Sequence, residues 1–138
     1  MTRLTKRYRF AASHRLHAPS LSGEENRELY GKCNNPYGHG HDFILEVRVK
    51  GDVDPASGLV VDQRKLDTLV HNAVLRDFHM KYLNAQVPAF ANVVPTSENV
   101  AIEARRRLCD AWQETFGSRG PALDAVRVIE TKKNVFES

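Results

Sequence analysis

The 138-residue sequence lacks the features that mark membrane-spanning and secreted proteins. No stretch approaches the roughly 18 consecutive apolar residues of a transmembrane helix. The segment from Met1 to Lys6 also lacks the apolar core of a signal peptide, so we expect a cytoplasmic protein with no membrane partner. The net charge is only +3, and the basic residues are not clustered with aromatic ones, so no nucleic-acid partner is predicted. A small polyanionic substrate would suit the same charge.

Cysteine is also scarce, with only Cys33 and Cys109 in the chain. Two thiols in a reducing compartment are not expected to form a disulfide, so each is interpreted separately. Cys109 falls within an apolar helical pattern and is predicted to be a small core or boundary residue. The sequence has 41% hydrophobic and 27% charged residues and no repeat or low-complexity tract, which predicts a single globular domain over residues 1–138.

The segment that carries the chemistry runs over residues 31–43, where a thiol precedes two histidines at the start of an apolar strand. Because side chains alternate along a strand, His39 and His41 project from the same face. The glycines between and before them would let the backbone and a ligand approach closely. Two imidazoles one strand repeat apart, joined by a third, could form a three-histidine zinc site with its fourth position open.

The third imidazole is predicted to be that of His14. Residues 3–14 alternate loosely, as expected for a first strand, and His14 lies at its end on the more apolar side. If this strand pairs antiparallel with the strand that follows His39, the end of one lies beside the beginning of the other. All three imidazoles would then meet at one end of the sheet.

Residues 18–36 are predicted to form a long loop that delivers Cys33 to this site, since long loops inside compact domains are usually functional. A thiol beside zinc and basic groups should have a lowered pKa, and its thiolate would be the reactive form. The alternative is that Cys33 is a fourth zinc ligand, which would make a closed structural site.

Two amphipathic helices are expected after the second strand. Asp62 should cap the first, which ends near Asp77. The second begins at Thr96 or Ser97, with Glu98 in its first turn, and ends at Gly117. Two closing strands follow over residues 125–131 and 134–138, and Glu130 ends the apolar row of the first of them. The order predicts an α+β fold with a four-stranded antiparallel sheet and two helices packed on one face.

Four separate motifs give the sequence a resemblance to the 6-pyruvoyl-tetrahydropterin synthase and 6-carboxytetrahydropterin synthase family: residues 10–16, 30–43, 95–101 and 128–131. They span nearly the whole chain in the right order. The resemblance implies the tunnelling fold (T-fold), a homohexamer made of two trimers, and an active site at a subunit interface. It also implies the roles of the site residues: zinc ligands His14, His39 and His41, the base Cys33, the pterin anchor Glu130, and pterin contacts from Thr96, Ser97 and Glu98.

The resemblance also implies a lyase that eliminates triphosphate from 7,8-dihydroneopterin triphosphate. The five-residue gap between Cys33 and His39 favours the pyruvoyl-forming branch over the 6-carboxytetrahydropterin synthases of the queuosine pathway, which usually have a shorter gap. Two alternatives stay open: another lyase of the dihydroneopterin side chain, and a zinc-containing pterin-binding protein without turnover.

One departure from the family pattern affects the predicted chemistry. The family normally carries an Asp-His dyad before a Lys-(Asn or Tyr)-Leu-(Asn or Asp) motif. Alignment on Lys81-Tyr82-Leu83-Asn84 puts His79 at the Asp position and Met80 at the His position. If the family histidine relays protons to or from Cys33, this chain must do so differently. Our hypothesis is that His79 takes over this catalytic role.

Overall fold

The computed structural model describes all 138 residues and contains one five-stranded sheet. The strands are β1 (Thr2–His14), β2 (His39–Gly51), β3 (Lys81–Tyr82), β4 (Ala122–Thr131) and β5 (Asn134–Glu137), and their order across the sheet is β3-β1-β2-β4-β5. The α-helices are α1 (Gly23–Tyr30), α2 (Gln63–Val70), α3 (Arg76–Phe78), α4 (Leu83–Gln86) and α5 (Ser97–Phe116). Short 3-10 helices cover Gly31–Asn34 and Pro88–Phe90, and a π-helical turn covers His71–Leu75.

The antiparallel pairing of β1 with β2 sets the geometry of the whole sheet. Their register places Phe10 opposite Phe43 and His14 opposite His39. Strand β2 also pairs antiparallel with β4, and β4 with β5, so the four predicted strands are confirmed. The sheet has a fifth strand that was not predicted. It is only two residues long and pairs parallel with β1 at Ala12 and Ser13, and a run this short has no readable alternation.

The core lies between one face of this sheet and the helices. Every second residue of β2 from Phe43 to Val49 is fully buried, which is the alternation expected when one face of a strand is covered. Apolar residues of α2 and α5 pack against these side chains, and Leu66, Leu69, Val100, Ala104 and Leu108 belong to the same buried cluster. Toward the start of β2, the covered face continues from Phe43 into His41.

Both long predicted helices are present, with the predicted ends. The first runs from α2 through the π-helical turn to the end of α3 at Phe78. The second is α5: Thr96 caps its start by accepting a hydrogen bond from the Asn99 N–H, and Gly117 ends it with a φ of +72°. No helix in the structure has the length and apolar character needed to cross a bilayer.

The prediction of an uninterrupted loop over residues 18–36 was wrong, because α1 and a 3-10 helix lie within it. The Ser22 side chain accepts from the Glu25 N–H, and the Glu25 carboxylate accepts from the Ser22 N–H. This reciprocal capping box satisfies two backbone groups that a helix start would otherwise leave unpaired. The Ser22-to-Glu25 spacing was a readable signal for α1 in the sequence.

Removal of the α2 cap should lower stability by an amount that chemical denaturation can measure. The Asp62 carboxylate accepts hydrogen bonds from the N–H groups of Arg64 and Lys65. We expect Asp62→Ala to lower the free energy of unfolding by about 1 kcal/mol. Asp62→Asn keeps the acceptor and is the matched control, expected to lie within about 0.5 kcal/mol of the parent. Equal losses in both variants would contradict the capping role.

Candidate metal and substrate site

Four side chains from four different elements meet at one end of the sheet. They are His14 at the end of β1, Cys33 in the 3-10 helix, His41 at the start of β2 and Glu130 at the end of β4. One potential ligand atom from each residue lies within 4.8 Å of those of the other three. Imidazole, thiolate and carboxylate are the ligand types that zinc prefers, so these residues could hold a metal ion.

His14 is fully buried, and its ring has the tautomer that a metal ligand requires. Its Nδ1 lies 2.8 Å from the backbone carbonyl oxygen of Pro95. Because a carbonyl can only accept, Nδ1 carries the hydrogen and Nε2 presents a lone pair. That Nε2 is buried without any hydrogen-bond partner in the protein. Burial also lowers the pKa of His14 despite the opposing Pro95 carbonyl and Glu130 carboxylate, which keeps the ring neutral. A buried imidazole nitrogen without a partner fits a metal ligand.

His41 and Glu130 contact each other directly. Nε2 of His41 lies 2.8 Å from Oε1 of Glu130, which is also 3.9 Å from Nε2 of His14. The Ser97 hydroxyl, at the N-terminus of α5, donates a hydrogen bond to the second carboxylate oxygen, Oε2. Burial lowers the pKa of His41, and Glu130 opposes that shift. The carboxylate is therefore held between a strand histidine and a helix hydroxyl, with a defined orientation.

Cys33 reaches the cluster from the 3-10 helix, and its Sγ lies 3.8 Å from Nε2 of His41. A backbone hydrogen bond of 2.7 Å from the Leu16 N–H to the Cys33 carbonyl fixes this segment against the end of β1. Burial, and then the negative charge of Glu130, raise the pKa of the Cys33 thiol. The lowered pKa was predicted for a thiol beside zinc and stays a prediction, since burial and Glu130 are effects of the protein alone. Only a cation beside the sulfur would favour the thiolate.

His39 stands apart from the four-residue cluster. It is exposed, and its ring centroid lies 4.5 Å from that of His41. Strand alternation places it on the predicted face, opposite His14 in the register. Its assignment as the third zinc ligand stays a prediction. Glu130 was predicted as a substrate anchor and not as a potential metal ligand. Its place at the end of the apolar row of β4 nevertheless indicated that it lies near the site.

The predicted pterin contacts at the start of α5 occupy different environments. Ser97 is buried and donates a hydrogen bond to Glu130, whereas Glu98 is exposed in the first turn. The Thr96 hydroxyl is engaged as the N-cap. Sequence reasoning missed the Pro95 carbonyl, whose contact with His14 crosses 81 positions of the chain and leaves no local signal.

His79 lies beside the edge of β1 and forms no hydrogen bond to the cluster within the chain. Its Nδ1 accepts a hydrogen bond of 3.1 Å from the Ala11 N–H. The next residue, Met80, is exposed, has a φ of +61° and donates its N–H to the Ala11 carbonyl. His79 is thus anchored by one ring nitrogen, and its Nε2 has no hydrogen-bond partner in the chain. Its catalytic assignment stays a prediction.

These features define an α+β protein with a potential metal site at a sheet end and a thiol beside it. A sequence profile of the family described as 6-pyruvoyl tetrahydropterin synthase matches residues 3–138. A human protein named 6-pyruvoyl tetrahydrobiopterin synthase is 46% identical over 132 residues, covering 96% of this chain and 87% of the human one. The chain therefore belongs to the 6-pyruvoyl tetrahydropterin synthase family, as its sequence motifs predicted.

Two further relatives place the chain within this family. The solved structure of Caenorhabditis elegans 6-pyruvoyl tetrahydropterin synthase superposes with a TM-score of 0.86 at 37% identity, covering 99% of this chain and 94% of that one. This likeness confirms the predicted T-fold. An Archaeoglobus fulgidus protein, named provisionally as a 6-carboxy-5,6,7,8-tetrahydropterin synthase, is 30% identical over 113 residues, covering 82% of this chain and 84% of that one.

Proposed function

We propose that this protein is a zinc-dependent lyase that converts 7,8-dihydroneopterin triphosphate into 6-pyruvoyl-tetrahydropterin and inorganic triphosphate. The observation that carries the proposal is the buried Nε2 of His14, which has no protein partner and lies in a cluster with the Cys33 thiol. The 46% identity to a human protein named for this activity supports the same substrate. Zinc would be held by His14, His41 and the predicted third ligand, His39.

The reaction balances without an external oxidant or reductant. The two side-chain hydroxyl carbons become ketones and together lose four electrons. Two of these electrons reduce the phosphate-bearing carbon to a methyl group as the C–O bond to triphosphate breaks, and two reduce the dihydropterin ring to the tetrahydro form. When bound, zinc supplies Lewis acidity that lowers the pKa of the coordinated hydroxyls and of the neighbouring C–H. The protein itself must then accept, hold and return protons.

Cys33 is the proposed proton acceptor. Its sulfur lies 3.8 Å from Nε2 of His41, in the cluster where the side-chain hydroxyls would bind. Burial, and then the negative charge of Glu130, raise the pKa of this thiol. A positive charge added nearby would favour the thiolate and so link base activation to an assembled site.

Glu130 is the proposed anchor of the pterin ring. The 2-amino group and the adjacent ring N–H of a pterin form a guanidine-like edge that a carboxylate can bind by two parallel hydrogen bonds. Ser97 holds one carboxylate oxygen of Glu130, so the orientation of the carboxylate is set before substrate arrives. Thr96 and Glu98, which flank Ser97 at the start of α5, are the other proposed contacts.

Product analysis would separate this function from its rivals. Purified protein is incubated with dihydroneopterin triphosphate, with and without a zinc chelator, and the products are identified by mass. We expect triphosphate release with a diketo product, abolished by the chelator. Fragments of the formaldehyde or acetaldehyde type would instead mean a 6-carboxytetrahydropterin synthase or another side-chain lyase, to which the Archaeoglobus relative points. Tight binding without conversion would mean a pterin-binding protein, the candidate favoured by the replaced Asp-His dyad.

Metal content should test the role of His39 directly. We expect His39→Ala to bind zinc about 10- to 100-fold more weakly than the parent, because a three-histidine site loses one ligand. His17→Ala is the matched control: this histidine lies outside the four-residue cluster and should retain one zinc ion per chain by elemental analysis. Full zinc binding by His39→Ala would leave the four clustered residues as the ligand set.

The hypothesis that His79 relays protons has its own test. In the predicted hexamer the active site lies at a subunit interface, so His79 could serve the site of a neighbouring subunit. We expect His79→Ala to lower kcat about 100-fold with KM nearly unchanged, which is typical of a lost proton-transfer group. His71→Ala, on the π-helical turn, serves as the control. Undiminished turnover in His79→Ala would refute the hypothesis.

A further inference from the structure

We infer that Asn99 is a positioning residue for the metal site, an inference that rests on the zinc site of the proposed function. The Asn99 side chain fixes a tight turn that aims the Pro95 carbonyl at His14. In that contact the Pro95 oxygen lies 2.8 Å from Nδ1 of His14. Asn99 itself forms no hydrogen bond to the four-residue cluster, so any effect it has on the metal must pass through this turn.

The turn that precedes α5 is a γ-turn centred on Pro95. The Thr96 N–H donates a hydrogen bond of 2.8 Å to the Val94 carbonyl, two residues earlier. An inverse γ-turn needs a φ of about −75° at its central residue, and a proline ring holds φ at about −65°. Proline therefore suits the central position. The turn engages the carbonyl of Val94 and leaves that of Pro95 free to accept from His14.

Asn99 closes this γ-turn from the side of the helix. Its side-chain Nδ2 donates a hydrogen bond of 2.8 Å to the same Val94 carbonyl, and its backbone N–H donates to the Thr96 hydroxyl at 3.2 Å. The Val94 carbonyl thus accepts two hydrogen bonds, which use both of its lone pairs. Asn99 therefore joins the γ-turn to the first turn of α5, and the helix fixes the direction of the Pro95 carbonyl.

The direction of the Pro95 carbonyl matters because His14 has a second acceptor nearby. Oε1 of Glu130 lies 3.9 Å from Nε2 of His14. With the Pro95 carbonyl in place, the hydrogen of the neutral ring stays on Nδ1, and the buried Nε2 has no hydrogen-bond partner. If the γ-turn loosened, the hydrogen could move to Nε2 and face Glu130. A metal ion would then bind only after the tautomer had reverted, at a cost in affinity.

Asn99→Asp separates this role from simple stabilisation of α5. Asn99 is the third residue of the helix, where an acidic side chain is favourable because it faces the positive end of the helix dipole. Aspartate has the size of asparagine but no hydrogen to donate to the Val94 carbonyl. The variant should therefore keep the helix and loosen the γ-turn. The added negative charge would by itself attract a cation, so weaker zinc binding by Asn99→Asp would not be an effect of charge.

The test combines two measurements on the full chain. Nitrogen-15 NMR of the zinc-free protein at about pH 8 gives the tautomer of neutral His14, and competition with a chromophoric chelator gives the zinc affinity. We expect one tautomer in the parent, with the hydrogen on Nδ1, and both tautomers in Asn99→Asp and Asn99→Ala. Both variants should bind zinc about tenfold more weakly, at the lower end of the losses typical of residues behind a metal ligand. Asn72→Asp, the same change at an exposed position of the π-helical turn, is the matched control and should behave like the parent.

Three results would overturn the inference: an unchanged His14 tautomer in both Asn99 variants, unchanged zinc affinity in both, or an equal loss in Asn72→Asp. Thermal unfolding adds a fourth, because zinc loss confined to variants that unfold at lower temperature would give Asn99 a purely structural role. Failure of the proposed function would look different. A parent that bound no zinc, or bound zinc without converting the pterin, would still show the tautomer shift in Asn99→Asp.

Discussion

Replacement of Cys33 by alanine is expected to lower kcat/KM for triphosphate release by about 10³-fold while the protein retains one zinc ion per chain. The thiol is the only side chain of the four-residue cluster that can act as a base without giving up a histidine ligand or the proposed substrate anchor. Its loss should remove proton abstraction and leave metal and pterin binding intact. Steady-state kinetics and elemental analysis of the same preparation measure both quantities.

The chain provides a matched control for this variant. Cys109 is its other free cysteine, which is exposed on α5 and not at the predicted core or boundary position, and Cys109→Ala should have the activity of the parent. Loss of zinc from Cys33→Ala would identify the sulfur as a fourth metal ligand and support the closed structural site. Cys33→Ser adds a second measurement, because a hydroxyl keeps the size of the side chain but has a much higher pKa than a thiol. Serine should therefore restore little activity.

Sequence predicted those elements whose local residue pattern is compatible with only one type of secondary structure. Alternation over β1 and β2 can only place His14 and His41 on the covered face, and antiparallel pairing can only bring them to the same end of the sheet. Asp62 and Thr96 occupy N-cap positions whose acceptor groups are read directly from the residue type. The histidine pair, both long helices and the four main strands followed from such patterns.

The parts that could not be predicted depend on contacts between distant segments. Strand β3 is only two residues long. Its pairing with β1 depends on the position in which α3 places Lys81. Burial, and then the negative charge of Glu130, raise the pKa of the Cys33 thiol, and Glu130 approaches from β4, nearly 100 positions later in the chain.

Glu130 connects these observations, because the same carboxylate contacts His41, raises the pKa of Cys33 and is oriented by Ser97. It is therefore either a substrate anchor beside the metal or a ligand of the metal itself. The two roles require different chemistry from the side chain. An anchor for a guanidine-like edge needs two acceptor oxygens, whereas a ligand needs one oxygen lone pair.

Glu130→Gln should distinguish these two roles. Its expected effect on activity is second only to that of Cys33→Ala. The amide replaces one acceptor by a donor that faces a substrate donor, so we expect kcat/KM to fall by about 10²- to 10³-fold with zinc content unchanged. Glu137→Gln, an exposed carboxylate on β5, is the matched control and should be neutral. Ser97→Ala removes only the orienting hydroxyl and should cost about tenfold.

Titration of the same variants with dihydroneopterin measures pterin binding, and so separates a role in substrate anchoring from a role in catalysis. We expect Glu130→Gln to bind the pterin at least about tenfold more weakly than the parent, since an unpaired donor is buried against the amide. Unchanged pterin binding together with loss of zinc would make Glu130 a metal ligand. The predicted contacts at the start of α5, Thr96, Ser97 and Glu98, would then be the next candidates for the pterin anchor.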